Sequence, residues 1–285
     1  MNQPLSIAQC ATLACIWEAT IPKPGNVHRG ADFEDLSYTD FLLSAVAVGP
    51  VLETAAAKGI GPCVLESVAR TRHMVGTNTN LGSLLLLVPL CAVPRERRLD
   101  EGVRDVLKNL RPSDARDVYE AIRLADAGGL GEVKAMDVRE QPPDDLLAAM
   151  RSAAGRDLVA RQYAEGFQQV LHCAAPWIRE GLASRLALGP AVRHAFVRLL
   201  CEFPDSLIGR KCGQPTAAAA AGRAGQILAA GLPGEEAYEY AMSDLDFWLR
   251  ADGHRRNPGT TADLIAAGLF VLLRDGIIEF PMRME

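Results

Sequence analysis

Apolar residues recur along this chain at helical spacing and almost nowhere with the alternation of a strand. Ile7, Cys10, Ala11, Ala14 and Trp17 fall at steps of three and four, after Pro4, Ser6 and Gln9, which make a start signal. Ser37 and Asp40 open a second run through Phe41, Ser44, Ala45 and Val48, with a break expected near Gly49 and Pro50. A third element is expected from Pro62 to about Met74. A fourth runs from Asn80 through Leu84, Leu87 and Val88 to Pro89. This fourth segment is apolar on every side, which places it at the centre of a bundle.

Shorter helices are expected over 101–110 and 114–126, and longer ones over 153–172 and 178–200. Gln214–Ala230 is alanine-rich and predicts a closely packed helix despite Gly222 and Gly225. Glu235–Arg250 and Thr261–Leu273 complete the series. β-Branched residues do not cluster, and no fixed period repeats. The pattern therefore predicts one all-α domain over residues 1–285, with roughly ten to twelve helices and a site built from inter-helix loops and helix N-termini. Two helical lobes meeting near the Pro-Pro loop at Gln141–Asp144 are the alternative.

Composition narrows the function without naming it. In 285 residues, 49% hydrophobic and 23% charged, a disordered tail or charged rod is excluded. A formal net charge of -5 gives no support to a broad nucleic-acid-binding surface. The longest greasy stretch, Leu84–Val93, is too short for about 30 Å of hydrocarbon and contains Pro89, so no membrane partner is expected. Seven scattered cysteines without a CxxC pair, and no secretion signal, point to a reduced, cytoplasmic chain. The five histidines form no zinc motif, and there is no G-x-S-x-G elbow.

The chemistry lies in five polar, glycine-bearing segments between helices. Pro22-Lys23-Pro24-Gly25-Asn26-Val27-His28-Arg29-Gly30, followed by Asp32, Glu34 and Asp35, joins cations suited to phosphate with carboxylates suited to Mg²⁺. Gly76-Thr77-Asn78-Thr79-Asn80-Leu81-Gly82-Ser83 enters the apolar helix. One cap needs one polar residue, whereas this stretch supplies four in succession. Leu81 reads as packing. Gly128 and Gly129 in Asp126–Val133 permit close backbone approach to a nucleotide or simply end a helix, with Asp137 nearby. In Phe203–Gly213, Asp205 is a candidate base or metal ligand, and Arg210 and Lys211 are candidate phosphate contacts, with a capped helix followed by an exposed basic turn as the alternative. Asn257–Ile265 brings Asp263, which either caps a helix or points into the site.

Taken in order, these segments resemble the triphosphoribosyl-dephospho-CoA synthase family. The residues that carry the resemblance begin with Pro22-Lys23-Pro24-Gly25, Asp35 with Phe41 and Ser44-Ala45, and Asn78-Thr79 with Gly82. Gly128-Gly129-x-Gly131, Pro204-Asp205 before Gly209-Arg210, and Pro258-Gly259 before Ala262-Asp263-Leu264 continue it over nearly the whole chain. The resemblance implies an all-helical enzyme with ATP as substrate and Mg²⁺ as cofactor. Such an enzyme joins the triphosphoribosyl part of ATP to 3′-dephospho-CoA and releases adenine, toward a prosthetic-group precursor. It implies Asp35 or Asp205 as base or metal ligand, and Lys23 and Arg210 on phosphate, with Gly25, His28, Arg29, Thr79 and Lys211 beside them. Asn78 falls to sugar or phosphate and Asp263 to metal.

The chain also departs from the family pattern. Asn78-Thr79-Asn80-Leu81-Gly82 stands where the family has Asn-Thr-His-Lys-Gly. Phe33-Glu34-Asp35-Leu36-Ser37 stands for His-x-Asp-Met-Asp, and Asp205-Ser206-Leu207 for Asp-Thr-Asn. These losses keep open a related transferase with a different coenzyme-like acceptor, including one of a one-carbon, methanopterin-type pathway, and a noncatalytic nucleotide-binding protein.

Overall fold

The computed structural model describes residues 4–126 and 142–285, and helices dominate both stretches. Ser6 starts α1 (Ile7–Thr20) with a capping box closed by Gln9, and Ser37 starts α2 (Tyr38–Leu52) in the same way with Asp40. The short α3 (Ala55–Lys58) leads into α4 (Ile60–Val75), which Gly76 ends in the left-handed conformation. Next come α5 (Leu81–Cys91), α6 (Leu99–Lys108) and α7 (Pro112–Ala125). Beyond the undescribed segment lie α8 (Leu146–Ala153), α9 (Leu158–Glu165), a π turn at Val170–Ala174, α10 (Ala175–Ala183) and α11 (Leu188–Glu202). The series ends with α12 (Ser206–Cys212), α13 (Gln214–Ala230), α14 (Glu236–Arg250) and α15 (Gly259–Arg274). Strand structure is confined, among the described residues, to Ala251–His254 and a bridge between His28 and Ala31.

Two helices form the centre. In α5 every residue from Ser83 to Cys91 is buried, as its all-round apolar pattern predicts. In α15 every residue from Leu264 to Arg274 is buried, and this helix packs against α1, α5, α10, α11 and α12. A single apolar cluster runs from Cys10 to Ile278 and includes both. Burying side chains of this size contributes about 1.5–3 kcal/mol each, so these two helices hold the rest in place.

The described residues hold fifteen α-helices, more than the expected ten to twelve, and the main differences have local causes. The stretch 153–172 is three elements. Asp157 caps α9 through Ala160 N, Gly166 ends it at φ 66°, and the π turn follows. The stretch 178–200 divides at the turn containing Arg185, whose φ is also 66°. The break at Gly49-Pro50 does not occur, and α2 continues to Leu52. Pro50 removes one N–H, and the carbonyl it would have served belongs to Val46, a well-exposed residue that water can satisfy. Gly49 is there for a different reason. A Cβ at that position would overlap the Thr12 hydroxyl, so the glycine lets α1 and α2 approach. Pro89 presents the same problem inside the core. There Tyr163 donates its hydroxyl to Leu85 O at 2.7 Å, replacing the bond that Pro89 cannot make.

Candidate active site

Four of the five polar segments meet around the first turn of α15. Asp205, buried at the start of α12, divides its carboxylate between two helices. Oδ1 accepts from Leu207 N at 2.8 Å and Ile208 N at 3.0 Å. Oδ2 accepts from Thr261 N at 2.7 Å and Thr261 Oγ1 at 2.8 Å. Ser206 extends the joint, donating to Thr260 Oγ1 at 3.1 Å and accepting from Leu158 N at 3.1 Å. Burial pushes the Asp205 carboxyl upward, against the hydrogen bonds from Thr261 and Ile208.

Asp263 lies one turn into α15 and reaches the start of α5. Ser83 donates its hydroxyl to Asp263 Oδ1 at 2.6 Å, and the other oxygen rests against Gly82 Cα, where any Cβ would overlap it. The carboxyl is pushed up to about 8 by burial. Ser83 opposes the shift, and the charges of Glu18 and Asp205 add to it. Such a group holds its proton at neutral pH unless a cation arrives. The pattern in α1 makes Glu18 legible, since it follows Cys10 and Ala14 by whole turns on the buried stripe. Sequence reasoning passed over it.

The loop after α1 packs against the end of α14. Gly25 takes φ 72°, and a Cβ there would meet Leu249 and Pro258 at 2.8–2.9 Å. Its N–H donates to Asp246 Oδ1 at 2.7 Å, while Asn257 Nδ2 donates to Gly25 O and to Asn26 Oδ1 at 2.9 and 3.1 Å. Arg250 donates to Asn26 O as well as to Asp246. Further along the loop, Asp35 Oδ1 meets His254 Nδ1 at 3.3 Å. The field of Asp35 also reaches Lys211, whose ammonium burial otherwise lowers. On the far side, Thr79 donates to Ser44 Oγ at 2.6 Å, and Asn78 Oδ1 caps α5 by accepting from Leu81 N at 3.1 Å.

Several expected roles change. Lys23 is not a free phosphate cation. It is 1% exposed, its ammonium donates to the carbonyls of Glu18 and Ile21, and it pairs with Glu18 Oε1 at 2.9 Å. Gly25 is covered by Leu249 and Pro258, so it serves the fold rather than a ligand. Arg29 is exposed and pairs with Glu285. His28 accepts from Gly30 N at 3.1 Å, and burial together with Arg250 lowers its imidazole. Arg210 is engaged by Asp157 and lies 3.4 Å from Ser206 Oγ, which makes it a tie between α12 and α9.

Asp35, Asp205 and Asp263 do not form one metal cage. Asp35 is turned to His254, and Asp205 spends its oxygens on four N–H and O–H donors. Among the described residues no group of three or more His, Cys, Asp or Glu is gathered to hold a metal. Gly128 and Gly129 lie outside the described residues. Leu81 is buried packing, as expected. A cavity of 470 Å³ lies between the 182–187 turn and the C-terminal segment. A smaller one of 150 Å³ opens beside Asp157 and Ser206.

Comparison with known proteins gives a family and a fold likeness. The family model described as CitG, ATP:dephospho-CoA triphosphoribosyl transferase, matches residues 4–279. Among solved structures, the chain is similar to one from Archaeoglobus fulgidus described as "putative triphosphoribosyl-dephospho-coA synthase". That likeness has a TM-score of 0.64 and 28% identity, and it covers 82% of this chain and 99% of the other. No curated protein matches.

Proposed function

The chain belongs to the CitG family of ATP:dephospho-CoA triphosphoribosyl transferases, and from that premise we propose that it carries out this transfer at the first turn of α15. Moving the triphosphoribosyl group off ATP leaves adenine. One bond therefore breaks at the anomeric carbon, another forms to an acceptor hydroxyl, and the phosphates travel with the sugar. The observation that carries the placement is the convergence of the loops near Asp35, Ser83, Asp205 and Asp263, although they are far apart in sequence.

The residues divide the work by what each has left to offer. Lys211 has no hydrogen-bond or ion-pair partner for its ammonium among the described residues, so it is the cation we assign to the triphosphate. Asn78 and Thr79 border the start of α5, where a sugar or phosphate oxygen would find them. Asp205 and Lys23 position rather than react, the first by joining α12 to α15 and the second by closing the loop after α1.

Mg²⁺ fits Asp263, because a buried carboxyl beside another carboxylate gains most from a cation. With one or two carboxylates in place, such an ion takes its remaining oxygens from substrate phosphates and water. When bound, it would neutralise triphosphate charge. All seven cysteines are free, which supports a reducing, cytoplasmic setting.

The decisive assay supplies ATP and dephospho-CoA, then follows free adenine by chromatography and the acceptor by mass. Adenine and an acceptor heavier by the triphosphoribosyl group are expected. Release of ADP or phosphate instead would exclude the reading. A second acceptor is a specific outcome of the same assay, since buried Leu81 and Thr71-bonded Asn80 supply neither cation nor imidazole.

A further inference from the structure

Of the five histidines, only His254 has its ring paired with a carboxylate among the described residues. Asp35 Oδ1 stands 3.3 Å from its Nδ1, and an ionised carboxylate only accepts. That placement favours the neutral tautomer with its proton on Nδ1 and its lone pair on Nε2. The ring is also fixed sideways. Phe33 packs against it with centroids 5.2 Å apart and planes at 35°, and the Arg250 guanidinium lies 5.6 Å from the Phe33 ring. The His254 side chain is still 36% exposed, which leaves it accessible to a ligand. Lys211, assigned above to the triphosphate, sits within the field of the same Asp35 carboxylate.

We infer that His254, oriented by Asp35, takes the proton from the acceptor hydroxyl as that oxygen attacks the sugar. This deepens the transferase reading and rests on it. The hydroxyl O–H bond breaks toward Nε2 while the new O–C bond forms at the anomeric carbon. The C–N bond to adenine breaks with its electron pair on the departing ring nitrogen. The imidazolium passes its proton to water, and adenine regains one from water, so atoms and charge balance. Asp35 touches no reacting atom in this scheme and is a positioning residue, selecting the tautomer whose lone pair faces outward.

The test compares wild type, His254→Asn and Asp35→Asn for adenine release, together with ¹⁵N spectra of the imidazole rings. Asparagine at 254 keeps an N–H for Asp35 but has no basic nitrogen. We expect kcat to fall about 10²–10⁴-fold, the usual contribution of a positioned base, with KM for ATP little changed. Asp35→Asn should lower kcat similarly and move the neutral ring proton of His254 from Nδ1 to Nε2. An active wild type with undiminished kcat in His254→Asn overturns this inference alone. So does a wild-type ring found with its proton on Nε2, whatever the turnover. A wild type that releases no adenine with any acceptor overturns the transferase reading itself, and this step with it.

Discussion

Asp263 shows how much one residue's surroundings decide. Held near 8 in the folded chain, its carboxyl keeps a proton that the unfolded chain gives up at about 3.9. Between those values the folded protein binds more protons, so stability should decline as pH rises through this window. Asp263→Asn has no such proton to lose. Unfolding midpoints at pH 5, 6.5 and 8 should therefore fall less steeply in the variant, and parallel profiles would contradict the assignment. Asp263 was legible as a candidate because it follows Pro258-Gly259 at a helix start. Its hydrogen-bond partner Ser83 was not, since nothing local ties residue 83 to 263, and Glu18, though on the buried stripe of α1, carries no local sign that its charge reaches 263. Lys23 misled for the opposite reason. A lysine between prolines reads as exposed, and only the tertiary path of the loop turns it back onto Glu18.

At the scale of elements, helix type and order were largely written in the spacing of apolar residues, while interruptions were not. Pro50 and Pro89 are the same kind of local signal, yet neither ends its helix, because one freed carbonyl belongs to a solvent-facing residue and the other receives Tyr163. Asp157 and Gly166, in contrast, do divide a run that periodicity alone treats as continuous. The Tyr163 bond makes a direct prediction. Tyr163→Phe keeps the ring in place and leaves Leu85 O buried without its donor, which should cost about 1–3 kcal/mol. Urea denaturation reads that loss, and a variant as stable as wild type would show that another donor serves Leu85. The short α12 was legible only as an alternative, because seven residues show too little periodicity and the cap at Asp205 was its one local sign.

For the whole molecule, the chain's end closes onto its interior. Leu188 N donates to Arg283 O at 3.0 Å and Gly189 N to Met284 O at 2.9 Å, so the last residues cap α11. Removing residues 280–285 should cost about 1–2 kcal/mol. At about 2–4 °C per kcal/mol for a large domain, Tm should drop by several degrees. An unchanged Tm would mean that water replaces the tail at those amides. No pattern in the sequence announced this closure, because a carbonyl acceptor carries no residue signature.

Asp205 gives the molecule a further property. One carboxylate serves the beginnings of two helices, one leading to Lys211 and the other to Asp263. Neither segment can shift without disturbing the other's amides. A displacement on the Lys211 side therefore strains the first turn of α15, and the reverse holds with equal strength. Movement at the start of α12 therefore reaches the start of α15 through a single pair of oxygens.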